Sequence, residues 1–238
     1  MKLNKRLLAL AEMVKHPYGV VWDCCCDHGL LGFQILANGL VKQVNFVDVV
    51  PDIIDRLNTK LKTYSHHLPS DVQWQTFCAD VADIPLANSQ DLMQAQASGK
   101  PQQLVIISGV GGELMIGMLD KLIQRYNGHN IDYLLCPVHH AYKLRNKLVQ
   151  LDFKLKQEQL ITDNQREYEL LLVNQLEGRT LSVTGNELWE NTKQHQDYLV
   201  KLISHYQRVT KAESLDDLIN MAALKDYALL QENYIANK

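Results

Sequence analysis

The chain has 238 residues, 46% hydrophobic and 21% charged, with a formal net charge of −3, enough to bury one full α/β core and leave sequence for a small appendage. No apolar run approaches the roughly 20 residues that cross a bilayer, the longest, Leu104 to Ile107 and Leu170 to Val173, being strand-sized. Cys24, Cys25, Cys26, Cys78 and Cys136 form no Cys-x-x-Cys pair, which argues against a disulfide framework and a zinc site and for a reducing cytoplasm, while the slight acidity leaves only a local basic face for any nucleic acid.

Lys2, Lys5 and Arg6 ahead of Leu7 to Ala11 look superficially like a secretory leader, but Glu12 and Lys15 interrupt the run before its apolar part is complete. Leu3, Leu7, Leu10 and Val14 instead recur at helical spacing, predicting an amphipathic helix over residues 2 to 15 that Pro17 and Gly19 end. Short apolar runs then alternate with helix-like segments, the mark of βαβ units. Strands are expected at Val20 to Cys24, Val44 to Val50, residues 73 to 80, Gln103 to Ser108 and Ile131 to Cys136. Helices should lie between them, one opening at Pro51 and one running to about Tyr126, with a polar stretch over Asn88 to Gly99. A helix over residues 140 to 151 precedes a closing strand pair, Phe153 to Thr162 and Tyr168 to Asn174, around a turn at Asp163-Asn164.

Composition shifts between Gly178 and Gly185. Beyond it Leu188, Thr192, His195, Leu199, Leu202, Tyr206 and Val209 repeat as one face of a long helix. Ser214 and Asp217 resemble a capping box for a second helix with the stripe Leu215, Ile219, Ala222 and Leu229. The expected domains are therefore 1–178, an α/β domain with its N-terminal helix, and 179–238, an antiparallel helical hairpin.

A parallel sheet binds its nucleotide beyond the carboxyl ends of its strands, where strand order reverses. After the first strand, Asp23-Cys24-Cys25-Cys26-Asp27-His28-Gly29 is a turn of small residues, without the Gly-x-Gly-x-x-Gly fingerprint of dinucleotide enzymes. It can admit a ligand to backbone, or be an ordinary turn capped by Asp27. Asp48 ends the second strand about 20 residues later, where a carboxylate can accept from both ribose hydroxyls or simply be solvated. Asp80 and Val81 close the third strand, a place for an adenine contact or a turn cap.

Ser108-Gly109-Val110-Gly111-Gly112 closes the fourth strand, and three glycines in four residues permit positive φ and close approach to a ligand. Cys136-Pro137-Val138-His139-His140 closes the fifth, with Lys143, Arg145 and Lys147 just beyond. The two histidines have no further ligands spaced to complete a metal site, and no metal is expected. The Cys24 to Cys26 run reads as small core residues rather than as a nucleophile, since no partner base can be assigned.

These segments, in this order and over nearly the whole chain, resemble the bacterial tRNA (adenine(22)-N1)-methyltransferases. The resemblance rests on Leu3-Asn4-Lys5-Arg6-Leu7, the Asp27-His28 pair within Asp23 to Gly29, Asp48, Cys78 to Asp80, Ser108 to Gly112, His140 with Arg145, Tyr168-Glu169 and the helical tail. The family has glycine at the position of Cys25 and tends to have Asn at that of Val138. The resemblance implies a Rossmann-like class I methyltransferase sheet closed by a strand hairpin, S-adenosyl-L-methionine as cofactor and tRNA as partner. It implies cofactor contacts from Asp23, Cys24, Cys25, His28, Gly29, Asp48, Asp80, Val81 and Ser108, and a catalytic set of Asp27, Gly109, Gly111, Gly112 and His140. Lys2, Lys5, Arg6, Lys143, Arg145 and Lys147 are the expected RNA-binding cations. Two other readings stay open at this point: methylation of a small molecule or a protein, and a non-catalytic module that binds RNA.

Overall fold

The computed structural model describes residues 3–86, 103–185, 187–190, 192–210 and 215–236. Lys2, the stretch Asn88 to Gly99 and the expected cap Ser214 lie outside them, as do the side chains of Leu215 and Asp217. Helix α1 (Lys5–Met13) starts where the Asn4 side chain accepts from the Leu7 amide at 2.9 Å, satisfying one of the unpaired first-turn donors. Its inner face, led by Leu10, is buried against the sheet.

The βαβ units follow in the expected order: β1 (Val20–Cys24), α2 (Leu30–Ala37), β2 (Gln43–Asp48), α3 (Pro51–Tyr64), β3 (Gln73–Cys78), β4 (Gln103–Ser108), α4 (Gly112–Tyr126), β5 (Ile131–Cys136) and α5 (Ala141–Gln150). Then come β6 (Lys154–Asp163), β7 (Arg166–Asn174), the short β8 (Arg179–Thr180), α6 (Lys193–Val209) and α7 (Leu215–Ala236). Among the described residues the eight strands form one sheet in the order β3-β2-β1-β4-β5-β7-β6-β8. The first five are parallel, β7 runs antiparallel to β5, and β6 pairs with β7 and β8 antiparallel. Strand order reverses between β1 and β4, which puts the crevice for a ligand beyond Cys24 and Ser108.

β4 and β5 are buried over nearly their whole length because helices cover both faces, which is why they read as unbroken apolar runs. One face packs α1, α2 and α3 around Leu10, Phe46 and Leu61; the other packs α4 and α5 around Met115, Leu119 and Leu144. The β6–β7 turn is Asn164-Gln165, both with positive φ (49° and 62°), as a type I′ hairpin requires. That is one residue later than expected. The sheet also continues past residue 178, since β8 pairs with Lys154 and Leu155 of β6.

α6 buries His195, Leu199 and Tyr206 of its expected stripe. The stripe expected for α7 is displaced: Ala222 is exposed and Leu229 is 53% exposed, while Ala223 and Tyr227 are buried. Apolar residues lie on nearly every side of this helix, so periodicity could not select a face; Tyr227, stacked on Tyr206 at 5.8 Å, does. A third apolar cluster of Tyr142, Leu199, Tyr206, Ala223 and Tyr227 joins the helix pair to α5.

Candidate active site at the strand ends

The Asp23 to Gly29 turn leaves β1 through two left-handed residues that are not glycine, Cys25 (φ 57°) and Asp27 (φ 46°), and enters α2 at Gly29 (φ 65°). Backbone amides within it are tied down, and Lys60 Nζ donates to His28 O at 3.0 Å. The Cys26 amide donates to Val47 O at 3.1 Å, the Gly29 amide to Cys26 O at 2.7 Å, and the Asp27 amide to Asp48 Oδ2 at 3.3 Å. The buried Asp23 carboxylate turns inward and accepts from the Gly32 amide at 2.9 Å, so it braces the start of α2. Burial pushes its pKa up to about 7, against the opposing pull of the Gly32 N–H.

A cavity of 400 Å³ opens beside this turn, between Asp23, Cys25, His28, Ser108, Gly109 and Arg6. Cys24 is buried behind it in the core and does not line it. Asp48 and Asp80 stand along the same strand-end edge, outside the cavity wall. Asp48 Oδ1 also accepts from the Val50 amide at 3.1 Å, and Asp80 caps a short 3₁₀ turn by accepting from the Ala82 amide at 2.9 Å. The Val81 side chain is buried in the core. Burial pushes the Cys25 thiol up to about 12, and the carboxylates of Asp48, Asp23 and Asp80 push in the same direction. The thiol is therefore a poor nucleophile, and the turn sits in a field that favours a cation.

The glycine loop divides into two parts. Gly109 has φ 86° and open space where a Cβ would stand, so it presents bare backbone to the cavity. Gly111 and Gly112, expected to approach a ligand, are instead filled from behind. A Cβ on Gly111 would lie 2.2 Å from the His139 ring, and one on Gly112 2.5 Å from His140 O. The Gly112 amide donates to His139 O at 2.9 Å and the Val138 amide to Val110 O at 3.0 Å, zipping the loops after β4 and β5 together. The absence of a Cβ at both positions lets the two loops pack this closely. His140 has φ 61° as the N-cap of α5, and its Nδ1 stands 3.6 Å from Glu113 Oε1.

The expected basic face is smaller than the sequence suggests. Arg145 is no RNA contact: its guanidinium is 0% exposed, bonded to Glu169 at 2.6 Å, Glu158 at 2.7 Å and Ser182 O at 3.2 Å. Its helix face points at the sheet, and two buried carboxylates claim its charge. Lys143 pairs with Glu113 at 2.6 Å and Lys147 with Asp120 at 2.8 Å. Lys5 is exposed. Arg6 reaches from α1 to the mouth of the cavity, its guanidinium 4.9 Å above the Tyr168 ring and its Nε buried with no hydrogen-bond partner among the described residues. Spacing alone could not reveal that Tyr168 on β7 meets Arg6 on α1; only the sheet order does.

The sequence matches the model of a methyltransferase domain family over residues 3–171. A search of curated protein sequences gave no significant match. Among solved structures, the chain is similar to M. capricolum TrmK in complex with S-adenosyl-homocysteine (TM-score 0.69, 16% identity, 98% of each chain covered). It is similar to Streptococcus pneumoniae Sp1610 in complex with S-adenosyl-L-methionine (TM-score 0.69, 17% identity, covering 95% of this chain and 98% of that one). It is also similar to the B. subtilis m1A22 tRNA methyltransferase TrmK (TM-score 0.67, 19% identity, covering 97% and 96%). At these identities the likeness establishes the fold, helix pair included, and with the family match over most of the sheet it fixes the membership: the chain belongs to the methyltransferase domain family.

Proposed function

We propose that this protein is an S-adenosylmethionine-dependent methyltransferase that modifies N1 of an adenine in tRNA, at position 22 by resemblance. The observation that carries this reading is the cavity at the point of strand-order reversal, with Asp23, Asp48 and Asp80 around one turn and, at its mouth, the Arg6 guanidinium over the Tyr168 ring. Its residues suit the cofactor. Asp48 and Asp80 complement a sulfonium and an ammonium, Asp48 at the end of β2 can accept from ribose hydroxyls, and Ser108 with Gly109 offers open backbone beside the transferable methyl. The bound cofactor supplies an electrophilic methyl group; everything else is positioning by the chain.

N1 of adenine carries its own lone pair, so orientation does most of the catalysis. Asp27, exposed at the rim beside His28, is placed to accept the proton that leaves the adenine amino group after methylation. N1 lies on the pairing edge, so a base in a stem must be flipped out before it can enter. Arg6, at the cavity mouth, would then hold the flanking phosphate or stack on the base. The likeness over 97% of this chain to the B. subtilis m1A22 tRNA methyltransferase TrmK supports the choice of RNA over a small molecule.

The test is transfer of a labelled methyl group from S-adenosylmethionine to unmodified tRNA transcripts, beside calorimetric titration with S-adenosylhomocysteine. The proposal expects binding and label in RNA. Binding without label in RNA would redirect the enzyme to another substrate, and absence of binding would make the fold a non-catalytic module.

A further inference from the structure

A second cavity, larger than the first at 590 Å³, lies on the other side of the zipped loops, between Val138, His139 and His140 after β5 and Leu202, His205 and Tyr206 on α6. It shares no lining residue with the cofactor-side cavity, the two being separated by the Val110–Val138 backbone bond. The helix pair thus adds a wall to a chamber whose other wall continues from the catalytic loops.

The lining chemistry is specific. Tyr142, Tyr198, Tyr206 and the three histidine rings give flat faces, and Leu202 with Val209 gives apolar floor. Glu113, Glu167 and Glu169 line it too, each already held by a cation: Lys143, itself in the lining, binds Glu113 at 2.6 Å, Lys201 binds Glu167 at 2.7 Å and Arg145 binds Glu169 at 2.6 Å, so the cations are spoken for and the carboxylates offer their remaining acceptor positions. His140 and His205 are both held below the usual histidine range, by burial first in each case, and so stay uncharged at neutral pH. The His140 ring lines the cavity and is partly exposed to it, its Nδ1 turned inward 3.6 Å from Glu113 Oε1. Flat walls, acceptor-rich edges and no free positive charge describe a seat for a neutral heteroaromatic ring that carries an amino group.

We propose that this cavity holds a second unpaired nucleobase of the RNA, an adenine or cytosine near the methylated one, so that the helix pair and the sheet together clamp the strand. The inference rests on the tRNA reading above. A base seated between aromatic and aliphatic side chains gains stacking energy without needing sequence-long contacts, which suits a protein with few exposed cations near its active site.

The experiment uses the full chain saturated with S-adenosylhomocysteine, an unmodified tRNA transcript carrying 8-azidoadenosine, ultraviolet crosslinking and peptide mapping, with methylation of the same transcript by S-adenosylmethionine scored in parallel. Crosslinks are expected within residues 137–143 or 198–209. In the cavity-filling variants Leu202→Trp and His205→Trp, those crosslinks should vanish and KM for tRNA should rise about ten-fold or more, as the loss of one base stack would produce, while affinity for S-adenosylhomocysteine reports an intact fold. His205 is the second variant because it is exposed, so that a tryptophan there blocks the cavity without repacking the core. Methylation with no crosslink in these segments, or variants that keep the cofactor affinity and the parent KM, would overturn the subsite and leave the tRNA reading intact. Crosslinks in the cavity without methylation would do the reverse.

Discussion

At the scale of single residues, the site is defined by groups that resist their surroundings. Asp23 has its pKa held at about 7 by burial against 3.8 for an ordinary aspartate. A pKa raised by folding favours the fold while the group is protonated, so this contribution is full below about pH 4 and is lost as pH rises through 7. Asp23→Asn keeps an oxygen for the Gly32 amide but removes the titration. Its stability relative to the parent should therefore improve by about 2–4 kcal/mol between pH 4 and pH 8, seen as a growing gap in denaturant midpoints; an equal gap at both pH values would show that folding does not raise the pKa of this carboxyl. Cys25 occupies a left-handed φ of 57° beside the cavity, a conformation that costs a non-glycine residue roughly 1 kcal/mol or more. Cys25→Gly should tighten S-adenosylhomocysteine about three- to ten-fold by calorimetry, since glycine removes both the strain and the Cβ; weaker binding would mean that the thiol itself touches the ligand. Arg6→Ala should weaken tRNA binding about ten-fold and leave the cofactor affinity unchanged, as expected for loss of a charge-assisted contact to RNA alone. The position of Asp23, Asp48 and Asp80 at or near strand ends was legible in the sequence because the apolar runs mark where the strands stop. The burial of Arg145 was not, because Lys143, Arg145 and Lys147 look alike in a linear reading and differ only in which face of α5 meets the sheet.

Among elements, the joint between the sheet and the helix pair is built on a buried ion-pair network. Arg145 on α5 binds Glu158 on β6 and Glu169 on β7, Tyr198 of α6 donates to Glu169 Oε1 at 2.8 Å, and the Glu187 amide donates to Glu158 Oε1 at 2.7 Å. Burial works against the arginine's charge, but Glu169 and Glu158 outweigh it and hold its pKa above the usual value. Arg145→Met should destabilise the protein by about 3–5 kcal/mol, because it strands two buried carboxylates; changing Glu158 and Glu169 to apolar residues as well should recover most of that. Calorimetric unfolding of the single and triple variants checks both. Gly111→Ala should cost about 1–3 kcal/mol by driving a methyl group into the His139 ring and opening the zipped loops. Strand positions were readable from apolar runs with errors of only a few residues at their ends. The two-residue β8 was not, since Arg179 and Thr180 carry no strand pattern and pair only because β6 lies alongside them.

On the scale of the whole molecule, the alternation of strands and helices followed by a hairpin and a helical tail was enough to predict the layered sheet and its appended helix pair. What sequence could not give was the distribution of charge over the folded surface. With Arg145 buried and Lys143 and Lys147 paired, few cations are left on this side of the described residues: Arg6 in the cavity lining, Lys60 on His28 O, and the exposed Lys5 of α1. The tRNA affinity should accordingly fall with salt on a shallow logarithmic slope of about −2 to −4 rather than the steeper values of proteins that coat phosphates. Binding titrations across ionic strength measure it directly. The central claim is a methyl transfer to N1 of adenine in tRNA. Incubation of the purified protein with S-adenosylmethionine and an unmodified tRNA transcript, followed by nucleoside mass spectrometry, should yield 1-methyladenosine from the natural transcript and none from one bearing guanosine at position 22; cofactor binding with no 1-methyladenosine in any tRNA would contradict the account.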